Sequence, residues 1–152
     1  MKIDETNVAI IRHLKEGRKP FKLIADELGV AENTVRSRVT RMIEEGVLDI
    51  IGLVDPEAVP GKKMVYVGVK LKDMDLVKKG AEFSKRKSVV DVSVVTGRFD
   101  LMLLVMVDEG EGLLEFYTKE MARIKGVLSV ETFVVYKSYD MKVPYIDYKG
   151  DK

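Results

Sequence analysis

The stretch "LIADELGVAENTVRSRVTRMIEEGVL", residues 23–48, decides the fold of the N-terminal part of the chain. Apolar residues recur at helical spacing on both sides of Gly29, which predicts two short helices joined by a tight turn. Upstream, Asp4 is suited to cap a first helix that stops at Gly17, and Pro20 suits the first turn of the second helix. The pattern therefore predicts three helices, of which the last two form a helix-turn-helix.

The third helix is predicted from about Ala31 to Glu45, closed by Gly46, and its two sides differ in character. Apolar side chains share one side, and amide, hydroxyl and guanidinium groups occupy the rest. The predicted core residues of the three helices are Ile10, Ile11, Leu14, Leu23, Ile24, Leu28, Val35, Val39, Met42 and Ile43. The side chains predicted to contact DNA are Lys22, Asn33, Thr34, Arg36, Ser37, Arg38, Thr40 and Arg41. Such groups read base edges and hold phosphates when a helix enters the major groove.

The charge of the chain is compatible with a nucleic-acid partner. Its formal net charge is only +1, but residues 10–43 carry eight basic residues against four acids. Phosphate binding needs only a local positive face, so the low overall charge does not exclude double-stranded DNA as a partner. The alternative is a structural three-helix bundle whose polar face is solvated.

The composition excludes several classes of protein and site. Cysteine is absent, so the chain has no disulfide, thiolate metal site or cysteine nucleophile, and we predict no metal and no cofactor. No apolar run approaches the roughly 18 residues that span a bilayer. The start, "MKIDETNVAI", lacks the apolar block of a signal peptide, which favours a cytoplasmic protein without membrane contact. The scarcity of amide side chains beside 34% charged residues indicates a thermophilic source.

From residue 47 onward the hydrophobic pattern changes from helices to strands. "VLDIIGLVD" (47–55) reads as a strand, followed by the turn-rich "PEAVPGKK". Further strands are predicted over 64–71, 89–95, 101–107 and 130–136, with helices over about 75–85 and 112–124. This βαββαβ order is typical of a ferredoxin-like fold, with helices on one face of an antiparallel sheet. The strand over 101–107 is apolar on both faces, and a partner's sheet in a homodimer is the simplest cover for the second face.

These observations predict an α+β chain with two domains. A three-helix winged helix-turn-helix DNA-binding domain is expected over 1–48, and a hinge strand and linker over 49–62. A ferredoxin-like domain for dimerisation is expected over 63–140, to which the family resemblance given next adds effector binding, and a C-terminal tail is expected over 141–152.

The chain resembles the Lrp/AsnC, or feast/famine, family of transcriptional regulators. The resemblance covers roughly residues 3–140 and rests on "IDETNVAII", "IADELGVAENTVRSRVTRMIEEGVL", "VDPEAVPG" and "VVTGRFDLMLLV". The chain has Asn7, Ala31 and Met42 where the family often has an acid, a serine and a leucine. The resemblance implies a sequence-specific regulator that dimerises through its C-terminal ligand-sensing (RAM) domain. It also implies further assembly to tetramers or octamers, with amino acids bound between dimers.

By this resemblance, the loop "TGRFD" lies at the effector site, next to the last strand. The residues expected there are Thr96, Gly97, Arg98, Phe99, Asp100 and Thr132. An amino-acid effector needs donors for its carboxylate and an acceptor for its ammonium, and backbone N–H groups around Gly97 and the carboxylate of Asp100 meet these needs. Arg98 can hold an acidic effector or pair with an acid on a neighbouring dimer. The alternative is that Gly97 and Asp100 only build the hairpin.

An enzyme is the competing class of function, since some tetrapyrrole decarboxylases resemble this family in architecture. His13 is the single histidine, and the chain has no histidine pair or clustered carboxylate motif. General acid-base and metal chemistry therefore lack candidate residues, and we predict that the chain is not an enzyme.

Overall fold

The computed structural model describes residues 3–146, and these divide into two compact units. The described residues up to Ile51 form the first unit, and those from Gly52 onward form the second. The predicted tail over 141–152 therefore lies within the described part only as far as residue 146.

The first unit is built from three α-helices whose ends follow the sequence signals. Helix α1 spans Glu5–His13 and continues as a 3₁₀ turn over Leu14–Glu16, α2 spans Phe21–Leu28, and α3 spans Glu32–Glu44. The Asp4 carboxylate caps α1 by accepting a hydrogen bond from the backbone N–H of Asn7 at 2.8 Å. Gly29 ends α2 in the left-handed conformation, with a φ of 65°. The predicted helix-turn-helix is therefore confirmed.

The core of the first unit matches the sequence prediction except at two positions. Seven residues are buried at its centre, namely Ile10, Leu14, Ile24, Ala25, Val35, Val39 and Met42, and Ile11 and Leu28 pack partly against them. Leu23 and Ile43 were predicted to be buried and are 49% and 42% exposed. Both predictions were wrong because each residue lies at the border of the apolar stripe, about one position from the buried Ile24 and Met42.

The second unit contains a four-stranded antiparallel sheet. Its strands are β2 (Lys62–Leu71), β3 (Val89–Val94), β4 (Leu101–Asp108) and β5 (Val127–Val134), arranged in the order β3-β4-β2-β5. Strands β2 and β4 occupy the centre and supply most of the buried valines and leucines. This order and the antiparallel pairing confirm the ferredoxin-like βαββαβ fold.

Two helical segments cover one face of this sheet. Helix α4 spans Leu76–Phe83, and the second segment begins as α5 (Gly112–Glu115) and continues through a π-helical turn (Phe116–Glu120) and a 3₁₀ turn (Met121–Arg123). The side chains of Phe83 and Phe116 are buried against alternate residues of β2 and β4. The helix predicted over 112–124 is therefore confirmed in position, but the observed segment is an irregular helix and not a single α-helix.

Two predicted strands differ from the structure by more than two residues at one end or both. Of the strand predicted over 47–55, only Leu53–Val54 (β1) is regular, and it pairs with Val143–Pro144 (β6). The last strand of the sheet begins at Val127, three residues before its predicted start, because a register shift at Lys70/Leu71 accommodates an additional residue of β5.

The second face of the sheet is partly covered by the chain itself. Val143 of β6 packs with Met64 and Met106 in a separate small apolar cluster, which Val54 and other residues near β1 and β6 flank. Close to this cluster in sequence, the carboxylate of Glu57 accepts hydrogen bonds from Lys137 Nζ at 2.6 Å and from the backbone N–H of Ser138 at 2.7 Å. Part of the cover predicted to come from a partner is thus intramolecular.

Within residues 3–146, no helix is long and apolar enough to cross a membrane. The same residues contain no group of three or more histidine, cysteine or acidic side chains placed to hold a metal ion.

Candidate functional site

The outer side of α3 is an open polar surface, referred to below as the α3 face. Its lining residues are Asn33, Arg36, Ser37, Thr40, Arg41, Glu44 and Glu45. Asn33, Ser37 and Thr40 are exposed along its centre, and the opposite side of the helix is buried through Val35 and Val39. The amphipathic pattern of α3 therefore presents amide, hydroxyl and guanidinium groups together to solvent.

Two arginines of the α3 face are held by acids one helical turn away. Arg36 donates to Glu32 at 2.8 Å, and its guanidinium lies 5.5 Å from the centre of the Phe21 ring on α2. Arg41 donates to Glu45 at 2.8 Å, and this hydrogen bond raises the pKa of Arg41. Exposed ion pairs of this kind are weak in water, so a DNA phosphate or base can replace the carboxylate.

Arg38 does not line the α3 face, and its contact with DNA stays a prediction. Its guanidinium donates to the carboxylate of Asp4 at 2.6 Å and to the side-chain oxygen of Asn7 at 3.0 Å. The hydrogen bond from Arg38, followed by that from the backbone of Asn7, lowers the pKa of Asp4. Arg38 therefore joins α3 to the start of α1, and its side chain is only 34% exposed. The helical wheel placed it on the flank of the DNA-facing side because the wheel takes no account of α1.

The remaining predicted DNA contacts lie at the border of this surface. Thr34 is half-buried, and its carbonyl oxygen accepts a hydrogen bond from the Ser37 hydroxyl at 3.2 Å. Lys22 is exposed in the first turn of α2. Both can serve at the edge of an interface centred on Asn33 and Arg36.

In the second unit, the loop over 96–100 joins β3 to β4. Thr96 and Gly97 are exposed, and the φ of Gly97 is 123°, a conformation that residues with a side chain rarely adopt. The Asp100 carboxylate accepts hydrogen bonds from the backbone N–H of Leu71 at 2.8 Å and from Lys70 Nζ at 2.7 Å. Both hydrogen bonds lower the pKa of Asp100, and the bond from the backbone of Leu71 has the larger effect. Asp100 thus ties the loop to β2.

Arg98 and Phe99 lie on the face of the sheet opposite the helices. The Phe99 ring packs directly on Gly68, where an added Cβ atom would lie 2.6 Å from the ring. The rings of Phe99 and Phe133 meet edge to face, with centroids 6.1 Å apart. Arg98 donates to the carboxylate of Glu131 at 2.8 Å, and its guanidinium lies 5.5 Å from the Phe99 ring.

Thr132 lies on the other face of the sheet from this group. It pairs in register with the buried Val67, and its hydroxyl is hydrogen-bonded to the hydroxyl of Tyr117. Within one chain the structure therefore brings Arg98 and Phe99 together with Glu131 and Phe133, but not with Thr132. Glu131 and Phe133 were not among the predicted residues, although the alternation of "VETFVVY" puts them on one face, opposite Thr132.

Comparisons with known proteins agree with both units. A model of the AsnC-type helix-turn-helix domain matches residues 3–43, and a model of the Lrp/AsnC ligand binding domain matches residues 64–144. The HTH-type transcriptional regulator PH0140 of Pyrococcus horikoshii is 31% identical over 137 residues, which cover 89% of this chain and 87% of that protein. The thermophilic source of this relative agrees with the amide-poor composition of the chain.

Solved structures show the same fold. The leucine response regulatory protein LrpA of Mycobacterium tuberculosis superposes with a TM-score of 0.79 at 20% identity, covering 95% of this chain and all of that chain. The regulator NMB0573 of Neisseria meningitidis, in its complex with L-Met, superposes with a TM-score of 0.68 at 19% identity, covering 92% of this chain and 94% of that chain. Since the two domain models match in the order of the two folded units, the chain belongs to the Lrp/AsnC family of DNA-binding transcriptional regulators.

Proposed function

We propose that the α3 face enters the major groove of DNA and reads a specific sequence there. Asn33, Arg36, Ser37 and Thr40 contact base edges, and Arg41 contacts a phosphate. Lys22 and Thr34 support the interface from its border. The observation that carries this proposal is the exposure of these side chains together on one side of α3, while its opposite side is buried.

In vitro selection of DNA by the wild type and by the Asn33→Ala and Arg36→Ala variants tests the base contacts. Each variant should relax sequence preference by roughly 1–3 kcal/mol at one or two base pairs of the half-site. The Arg12→Ala variant is the matched control, because Arg12 is an exposed basic residue of α1 outside the α3 face. Unchanged preferences in both α3 variants would place the reading surface elsewhere.

We also propose an arrangement of domains and copies. Residues 1–48 bind DNA, 49–62 act as hinge and linker, 63–140 form the dimerisation and effector domain, and 141–152 form a tail. The second unit forms a homodimer through the sheet face that lacks helices, because Tyr66, Leu104 and Phe133 are only partly covered there. Dimers assemble further to tetramers or octamers, and paired α3 helices read half-sites about 34 Å apart.

We propose that a small amino acid binds at the loop over 96–100, between dimers, and shifts the equilibrium between assemblies. The structure of NMB0573 with L-Met supports an amino acid as the effector class. Sedimentation velocity and DNA titration, each with single amino acids added, test the proposal. A change in assembly and in DNA affinity with the same amino acid is expected, and identical results throughout would refute it.

We propose that the chain has no enzymatic activity, since its relatives are transcriptional regulators. Absorbance titration with a tetrapyrrole tests the competing decarboxylase reading. No spectral change is expected, and a saturable change in the absorbance band would contradict this part of the proposal.

A further inference from the structure

We propose that Phe21, at the start of α2, is a positioning residue for DNA recognition. Together with Glu32, it holds the guanidinium of Arg36 in an orientation that reads a guanine in the major groove. This inference rests on the proposed function of the α3 face. It adds the base that Arg36 reads and two residues that act on this base through Arg36.

The ring of Phe21 has a fixed place beside the α3 face. Phe21 is the first residue of α2, and its half-buried ring packs against the core of the first unit. The guanidinium carbon of Arg36 lies over this ring, 5.5 Å from its centre. A cation and the face of an aromatic ring attract each other at this distance. The ring therefore limits the movement of the Arg36 guanidinium on one side.

Glu32 restrains the same guanidinium from a second direction. Its carboxylate accepts a hydrogen bond from Arg36 Nη2 at 2.8 Å, one helical turn away on α3. A long side chain loses rotamer freedom when it binds, and this loss opposes binding. Because the ring and the carboxylate already restrain Arg36 in the free protein, less freedom remains to be lost when DNA binds.

The Arg36 guanidinium keeps enough donors to read a base while Glu32 stays bound. Its planar group has five N–H donors, and the side chain is 58% exposed to solvent. Guanine presents two acceptors, O6 and N7, at its major-groove edge, and a guanidinium donates to both at once. Each other base presents at most one acceptor there, so guanine is the base that this geometry selects.

Arg41 provides a comparison within the same helix. It pairs with Glu45 as Arg36 pairs with Glu32, and its side chain is 67% exposed. Phe21, which contacts Arg36, is the only phenylalanine, tyrosine or tryptophan among residues 1–65, so the first unit offers no second ring to Arg41. The support by an aromatic ring therefore distinguishes Arg36, the proposed base contact, from Arg41, the proposed phosphate contact.

Modified DNA tests the base assigned to Arg36 in the full-length protein. In vitro selection with Arg36→Ala identifies the base pair at which preference is lost, and the wild type should require guanine there. Replacing this guanine with 7-deazaguanine removes the N7 acceptor and should weaken wild-type binding about three- to tenfold, with no further loss in Arg36→Ala. Inosine is the matched control, because it keeps O6 and N7 and lacks only an amino group in the minor groove.

Variants of Phe21 test the positioning role. Phe21→Leu keeps an apolar side chain for the core but removes the ring, and it should reduce the preference for this guanine about two- to fivefold. Phe21→Tyr should retain the preference. In the Arg36→Ala background, Phe21→Leu should cause no further loss at this base pair. Leu28→Val is the matched control, because Leu28 packs on the same core and does not line the α3 face.

The outcomes separate this inference from the proposed function. The inference is wrong if the base pair lost in Arg36→Ala is not read as guanine, or if 7-deazaguanine leaves wild-type binding unchanged. It is also wrong if Phe21→Leu keeps its guanine preference or loses affinity equally for all sequences, which would make the role of the ring structural. If neither Asn33→Ala nor Arg36→Ala changes any preference, the proposed function fails and this inference fails with it.

Discussion

At the scale of single residues, Arg38 differs in its contacts from the other two arginines of α3. It carries the same charge as Arg36 and Arg41 on the same helix, yet it contacts Asp4 and Asn7 on α1, while the other two stay on the α3 face. We therefore propose that Arg38 positions α3 and makes no contact with DNA.

The Arg38→Ala variant tests this role. Asn7 is buried, and without Arg38 its side-chain oxygen loses its donor, so the variant should lose about 1–2 kcal/mol of unfolding free energy. Its preference among DNA sequences should stay unchanged when measured by in vitro selection. The Arg41→Ala variant should behave in the opposite way, with nearly unchanged stability and a salt dependence of DNA affinity lower by about one unit. A weakened salt dependence in Arg38→Ala with unchanged stability would contradict the assignment.

Gly68 is the residue on which the position of Phe99 depends. A Cβ atom at this position would lie 2.6 Å from the Phe99 ring, so Gly68→Ala should displace the ring and cost about 1–3 kcal/mol of unfolding free energy. In a Phe99→Ala background the same substitution should cost much less. A double-mutant cycle by chemical denaturation measures the difference, and strictly additive effects would show that the ring does not occupy this position.

Residue roles were only partly predictable from the sequence. The exposure of Asn33, Ser37 and Thr40 follows from helical periodicity, which is a local property. The contact between Arg38 and Asp4 joins residues 34 positions apart, so no local pattern contains it. Lys70 and Asp100 are also far apart in the sequence, so no local pattern contains their contact. Lys70 neutralises the Asp100 carboxylate, which was predicted from the sequence to bind the effector.

At the scale of secondary-structure elements, helix ends were more predictable than strand ends. Asp4, Gly17, Gly29 and Gly46 mark helix or turn boundaries because capping and left-handed turns depend on individual residue types. Strand limits depend on partners. The segment over 47–55 is apolar, but only Leu53–Val54 finds a paired strand.

The carboxylate of Glu57 joins the segment after β1 to Lys137 and Ser138, which precede β6, and this link is sensitive to acid. The hydrogen bond from Lys137 and, with a smaller effect, the one from the backbone N–H of Ser138 lower the pKa of Glu57 from 4.5 to about 2. Because the folded-state pKa lies below the unfolded one, the stabilisation is complete above about pH 4.5 and is lost as the pH falls toward 2.

We therefore expect Glu57→Gln to melt at a lower temperature than the wild type at pH 7, and the two melting temperatures to converge as the pH approaches 2. Thermal unfolding followed by circular dichroism at several pH values measures this. Glu111→Gln serves as an exposed acidic control and should track the wild type. A constant difference between Glu57→Gln and the wild type at every pH would exclude a stabilising role of the ionised Glu57 carboxylate.

At the scale of the whole molecule, the two units match different domain types, a helix-turn-helix domain and a ligand binding domain. The first unit places a polar, arginine-bearing helix face in solvent, and the second offers a partly uncovered sheet face and a loop with balanced charges. The positive balance over residues 10–43 is offset within the first unit itself, because Asp4, Glu5, Glu44, Glu45 and Asp49 flank that stretch in the sequence, so the net charge does not reveal the local arginine-bearing surface.

The most direct measurement of the central claim uses the absence of cysteine from the chain. A single cysteine introduced as Ser37→Cys on the α3 face, or as Arg12→Cys on α1, can carry a photoactivated crosslinker without side reactions at other thiols. With bound operator DNA, the Ser37→Cys protein should crosslink to bases in the major groove at defined positions of each half-site, and the Arg12→Cys protein should not. Crosslinking from Arg12→Cys with none from Ser37→Cys would contradict the claim that the α3 face binds DNA.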